Sequence, residues 1–280
     1  MQNNIERENS KLEKFIMFII KVEKDDIFAL AAQLAYYLIL SFFPFLIFIM
    51  NLIGVSKLDA IAVLQGLKKL LPDNVFVLID STVLEIINKQ NFGLLGLSIL
   101  VSIWSASSGI RAVIRGINKA YNLKEKRGIV NLSILSFIFT ISLTLVIIIT
   151  LTALVFGNII GGYLVKLLPF PEIISVLWNI SRYIVVILSM VFIFGTLYRY
   201  APTKKMNWRN VIPGAVFTSI GWIIVSLAFS YYVNNLSNYS RLYGSLGAVF
   251  VLMIWLYLTA IILILGAEIN SELEINKKDF

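Results

Sequence analysis

Residues 244–267 read GSLGAVFVLMIWLYLTAIILILGA, twenty-four residues without a charge. A helix rises about 1.5 Å per residue, so a run of this length spans the roughly 30 Å of hydrocarbon in a bilayer. Five further stretches share the property, at about 28–53, 92–112, 132–157, 174–199 and 211–233. The whole chain agrees: 59% of its 280 residues are hydrophobic, 14% are charged and the mean hydropathy is +0.86. Soluble domains run nearer a quarter charged, so the composition excludes that class. Lipid offers backbone groups no water, and helices satisfy those groups internally. The expected fold is therefore all-α: a polytopic membrane protein with six transmembrane helices. The first apolar run starts too far in, and is too long, to read as a cleaved leader.

The charges then set the orientation. Arg7, Lys11, Lys14, Lys21 and Lys24 precede the first span. Arg111, Arg115, Lys119, Lys124, Lys126 and Arg127 follow the second, and Arg199, Lys204, Lys205 and Arg209 follow the fourth. With Lys277 and Lys278 these outnumber the six on the opposite side (Lys57, Lys68, Lys69, Lys89, Lys166 and Arg241). Cytoplasmic flanks carry the Lys/Arg excess, so both termini are expected in the cytoplasm of a bacterial cell membrane. The net charge of +8 is then a signature of topology, and nucleic acid is not an expected partner.

Three segments lie outside the spans. Residues 1–26 form a cytoplasmic amphipathic segment, with Phe15, Ile16, Ile19, Ile20 and Val22 on one face. They fit a helix in the membrane interface or one packed on the spans. Asp25 and Asp26 stand at the N-cap position of span 1. The connection around 57–89 reads as two short amphipathic helices broken at Pro72-Asp73, with Ser56 and Asp59 as a capping box in outline. It is either a lid over a cavity or surface packing. Gly157 and Gly161 permit close helix contact, and Gly162, Pro169 and Pro171 mark a turn. Residues 269–280 form a cytoplasmic tail, and the transmembrane domain occupies 27–268.

Polar residues inside an apolar solvent are costly and point to function. The spans from Ile27 through Ile264 hold no Asp or Glu, so a relay of buried carboxylates has no material. The chain has no His and no Cys, which excludes imidazole chemistry, thiolate nucleophiles and zinc sites of the usual donor set; no metal or other cofactor is expected. Arg182 lies inside span 4, where an unpaired cation costs about 2.5–3.5 kcal/mol on insertion scales. It either snorkels outward or lines a cavity that receives an anionic group. Pro44 interrupts the hydrogen-bond ladder of span 1, and Ser41 is placed to compensate a freed carbonyl. Gln33 and Tyr37 add polar groups to the same span. Arg111 and Arg115, at i and i+4, share a face at the cytoplasmic end of span 2, as inner-face anchors or as a phosphate-reading pair with Lys119. Glu268 closes span 6 and is available to an Arg at the end of span 2 or 4, as glue or as a gate.

Four of these stretches, in order, are AAQLAYYLILSFFPFL (31–46), WSASSGIRAVIRGINKAYN (104–122), RNVIPGAVFTSIGW (209–222) and YGSLGAVFVLMIWLYLTAIILILGAEIN (243–270). Together they resemble the YihY/BrkB family of bacterial inner-membrane proteins, over roughly 11–272. The resemblance implies six membrane helices and a transporter-like role, with some members linked to virulence or to envelope lipid export. The family once carried the label ribonuclease BN. That chemistry wants clustered His or Asp, which this chain lacks, and an enzyme is not expected. The expected function is a transporter or flippase-like protein for an anionic amphiphile, whose partners are anionic membrane lipids. Arg182, Arg111, Arg115, Gln33 and Tyr37 are the substrate-binding candidates, and Pro44, Ser41 and Glu268 the gating or helix-kink ones. The alternative is a non-transporting membrane scaffold or envelope-assembly factor.

Overall fold

The computed structural model describes residues 20–55, 76, 95–147, 171–235 and 247–275. Every regular element among them is an α-helix. After a helical turn at 20–24 come α1 (Ile27–Val55), α2 (Leu95–Ala120), α3 (Ile129–Ile147), α4 (Pro171–Tyr200), α5 (Trp208–Asn235) and α6 (Gly247–Ile275). Four of the described helices hold segments long and apolar enough to cross a membrane: Ile27–Phe45, Ile129–Ile147, Trp208–Asn235 and Gly247–Glu274. A shorter apolar stretch covers Ile184–Tyr200 of α4. Leu100, Trp104, Ile138, Leu188, Ile224 and Leu227 stand exposed along the helices. In water such a surface would aggregate; against acyl chains it is ordinary.

The packing centres on α6, which lies against α5, α1 and α2, while α1 also packs on α2 and α4 on α5. The core gathers at the end of the bundle that carries the basic connections. Ile27, Ala31 and Leu34 of α1 meet Val113, Ile114 and Ile117 of α2, Val211 and Ala215 of α5, and Ile264 and Ala267 of α6. Small residues let the backbones close in. A Cβ on Gly214 would collide with the Gly266 carbonyl and the Asn270 side chain, and one on Gly266 with Thr218 Oγ1. Gly109 likewise lies directly on the Ser41 side chain, fixing where α2 crosses α1.

Buried hydroxyls are satisfied locally. On α3, Ser136, Thr140 and Thr144 each donate to the carbonyl four residues back, at 2.7, 2.8 and 2.8 Å. This is the usual solution where water is absent. α2 ends in a Schellman turn: Asn122, at φ 53°, donates its N–H to the Lys119 carbonyl, and the Leu123 N–H reaches the Asn118 carbonyl. Asp26, at φ 49°, ends the preceding turn and opens α1, its carbonyl accepting the Leu30 N–H at 2.9 Å.

One expectation changes. Pro44 lies inside α1, which is helical on both sides of it. Ser41 Oγ donates to the Leu38 carbonyl at 3.1 Å, two residues before Leu40, whose carbonyl Pro44 leaves free. Its role is therefore contact with α2 at Gly109, and it does not repair the proline gap. The amphipathic pattern at 11–19, the pair of helices around 57–89 with Ser56, Asp59 and Asp73, and the glycines 157, 161 and 162 lie outside the described residues, as does the side chain of Arg182.

The α5–α6 approach makes a direct prediction. Gly214→Ala forces two backbones apart and costs about 1–3 kcal/mol, as overpacking does. Gly128→Ala, where nothing lies within 4 Å of the added carbon, changes stability by less than about 0.5 kcal/mol. Thermal unfolding of the two variants in detergent measures the difference.

Candidate functional site

Leu30, Gln33, Leu34 and Tyr37 recur on α1 at i, i+3, i+4 and i+7, and so share one face. Ala112, Arg115, Gly116 and Lys119 do the same on α2. The two faces enclose a cavity of about 130 Å³ at the basic end of the bundle. Small Ala112 and Gly116 leave the space; Leu30 and Leu34 supply an apolar wall; Gln33, Tyr37, Arg115 and Lys119 supply the polar one. Among the described residues, Arg115 and Lys119 have neither an ion-pair nor a hydrogen-bond partner. Two unpaired cations beside an amide, a phenol and an apolar wall can take an anionic group with an apolar attachment.

Arg111 does not line this cavity. Its guanidinium donates to Ser107 Oγ at 2.9 Å and sits 5.8 Å from the centre of the Trp104 ring, which is 64% exposed. The i, i+4 pair thus divides, with Arg115 on the cavity and Arg111 beside a tryptophan on the outer face. Arg182 belongs to α4, which packs on α5, whereas the cavity lies between α1 and α2.

A second cavity, of about 300 Å³, shares Arg115 and Lys119 and is completed by Asn118, Asn122, Leu123, Lys124 and Glu125. Its outer wall is a polar clasp. Arg127 grips Glu125 through two bonds, Nε at 2.8 Å and Nη2 at 2.7 Å, and also donates to the Ala201 carbonyl at 2.7 Å. Asn118 donates to Glu125 at 2.8 Å while its carbonyl oxygen accepts from Thr203 N–H and Oγ1 at 2.9 and 3.0 Å. The clasp ties the 121–128 connection to the 201–207 connection. Arg127, through its hydrogen bonds above all, holds the Glu125 carboxyl below the usual carboxylate range. Burial pushes the neighbouring Tyr121 phenol up, which keeps it neutral.

Glu268 is 0% exposed and pairs with Lys21 Nζ at 2.9 Å. The partner expected for it was an arginine of span 2 or 4; the residue found belongs to the segment before α1. Lys21 also contacts Glu272 at 3.6 Å and donates to Ser271 Oγ at 3.3 Å. Glu268, Ser271 and Glu272 stand at i, i+3 and i+4, a helical spacing visible in the sequence that marks a receiving face for a cation. Asn270 was also missed: it accepts from the Gly214 N–H at 2.7 Å and donates to the Val211 carbonyl at 3.2 Å. At the same end, Arg199 lies 5.2 and 5.0 Å from the Tyr200 and Trp208 rings, as aromatic residues at a membrane interface arrange.

Lipid-facing apolar helices, a cationic cavity at one end and no strand among the described residues define a multi-pass α-helical membrane protein. The chain belongs to the family described as virulence factor BrkB, whose profile matches residues 18–279. A protein of Bacillus subtilis named ribonuclease-like protein YfkH is 40% identical over 248 residues, covering 89% of this chain and 90% of that one. A UPF0761 membrane protein of Pseudoalteromonas atlantica is 27% identical over 268 residues, covering 92% and 85%. One from Alteromonas mediterranea is 26% identical over 271 residues, covering 92% and 87%. No solved structure matches.

The clasp carries a pH dependence of known sign. A carboxyl whose folded value is depressed contributes stability above its unfolded value of about 4.3, and the contribution is lost as pH falls through the folded value. Glu125→Gln removes that dependence. The expected outcome is a lower melting temperature than wild type at neutral pH and a gap that closes on acidification below about pH 4.3, read from melting curves across pH. Because Glu125 is part-exposed, the effect at neutral pH is modest.

Proposed function

We propose that this chain is a transporter or flippase-like protein that takes an anionic amphiphile from the inner leaflet, and that it is not an enzyme. The supporting observation is the convergence of Gln33, Tyr37, Arg115 and Lys119 on one cavity between α1 and α2. An anionic headgroup gains charge-assisted bonds from the two cations, while its chains stay against Leu30, Leu34 and the lipid-facing helix surface. In this reading six helices span the bilayer with both termini in the cytoplasm. Arg182, on α4, serves the later part of the path within the bilayer. The ribonuclease in the name of the Bacillus relative finds no imidazole in this chain to act as general acid or base.

Two measurements test the reading. In proteoliposomes carrying a fluorescent short-chain anionic phospholipid, wild type accelerates movement between leaflets over protein-free vesicles, and Arg115→Ala slows it about tenfold, the loss of one charge-assisted bond. Movement no faster than in empty vesicles sinks the transport reading and leaves the scaffold; unchanged movement in Arg182→Ala removes that residue from the path. The topology has its own check, because the chain has no cysteine to mask. A cysteine at Lys124 reacts with an impermeant maleimide in inside-out vesicles, and one at Asn235 reacts in right-side-out vesicles. The reverse pattern inverts the orientation.

A further inference from the structure

The two cavities meet at a ridge. Arg115 and Lys119, one turn apart on α2, line both, with Ala112 and Gly116 on one flank and Asn118 and Asn122 on the other. One chamber lies between α1 and α2, with Leu30 and Leu34 on its apolar side; the other faces the basic connection, with Leu123 its one apolar side chain. Glu125 does not make the second chamber hostile to an anion, since Arg127 and Asn118 occupy both its oxygens. The Asn118 amide is likewise spent, its oxygen on Thr203 and its nitrogen on Glu125. What remains for a ligand is the cationic ridge together with the Asn122 amide and the Lys124 ammonium.

A bare phosphate needs only the ridge, and it would leave the Asn122 and Lys124 side unused. The chamber's volume of about 300 Å³ sits at the lower end of small-molecule pockets and adds to the adjoining 130 Å³. Resting on the inner-leaflet reading of the α1–α2 site, we propose that the second chamber is its headgroup-selecting half. The amphiphile is then a phosphodiester lipid with a hydroxyl-bearing headgroup. Its phosphate sits on Arg115 and Lys119, the head hydroxyls meet Asn122 and Lys124, and the chain roots leave past Leu30 and Ala112.

The test is binding, measured apart from transport. The purified full chain in detergent is titrated calorimetrically with dioctanoyl-phosphatidylglycerol, with dioctanoyl-phosphatidylmethanol, and with free glycerol 3-phosphate. The two lipids carry the same charge and chains and differ in the head hydroxyls. Phosphatidylglycerol is expected to bind about fivefold more tightly than phosphatidylmethanol, the net value of about one hydrogen bond. Asn122→Gly abolishes that preference, the loss falling mainly on phosphatidylglycerol; because glycine adopts the φ of 53° freely, the variant keeps the turn. Lys124→Ala reduces the preference, and Arg115→Gln weakens both lipids alike, about tenfold. Equal affinity for the two lipids, or a preference that survives Asn122→Gly and Lys124→Ala together, overturns the headgroup chamber. Free glycerol 3-phosphate binding as tightly as the lipid overturns the amphiphile and makes this a soluble phosphate-ester site. Retained lipid movement without headgroup preference sinks only this inference, and intact preference without movement sinks only the transport reading.

Discussion

The approach of α5 to α6 at Gly214 and Gly266 is the constraint on which the other contacts depend. Within a bilayer, lipid tails are as apolar as leucine, so helices associate through close packing and polar bonds. Here both act at one place. The glycines let backbone meet backbone, and Asn270 of α6 bonds the Gly214 N–H and the Val211 carbonyl beside Pro213. Tyr198 brings in α4: its hydroxyl lies 2.7 Å from Thr218 Oγ1 on α5 and donates to the Leu263 carbonyl on α6 at 2.7 Å. Because α6 also packs on α1 and α2, this crossing sets the frame against which the α1–α2 cavity is held.

The Lys21–Glu268 pair extends that frame to the cavity wall. Taking a carboxylate out of water costs several kcal/mol, and pairing repays this only where the geometry is good. Its value is in position more than in net stability. Lys21 fastens the turn before α1 to α6, and the left-handed residue Asp26 redirects the chain there into Ile27. Leu30 and Gln33 follow within two turns of that fixed point. An N-terminal segment that reads as a surface amphipathic stretch therefore helps place one side of the cavity.

What was legible in the sequence follows from the range of the forces involved. Apolar runs report helices because the bilayer imposes length and composition on each segment separately. Gln33 and Tyr37, or Arg115 and Lys119, share a face because four residues make about one turn. The clasp and the identity of the partner of Glu268 were not legible. Asn118 meets Thr203 across 85 residues, Arg127 meets Ala201 across 74, and Lys21 meets residues of α6 across about 250. Local spacing carries no information on such pairings. Ser41 shows the complementary error: the proline rule correctly located a free carbonyl, but packing on Gly109 took the hydroxyl elsewhere.

The basic residues at this end of the bundle then sort by what they touch. Arg127, Lys21 and Lys204 are matched to Glu125, Glu268 and Glu274. Arg199 and Lys205 lie over aromatic rings, and Arg111 over Trp104. These positions are explained by orientation and anchoring, since a cation that satisfies the positive-inside rule gains from any partner near the interface. Arg115 and Lys119 are not explained that way. They stand on a helix face that borders two cavities, where neighbouring carboxylates are already committed elsewhere. The positive-inside rule accounts for positive charge gathered at one end of the bundle, but it does not account for two cations, unmatched among the described residues, one turn apart between two cavities. The proposed site for an anionic amphiphile accounts for that placement.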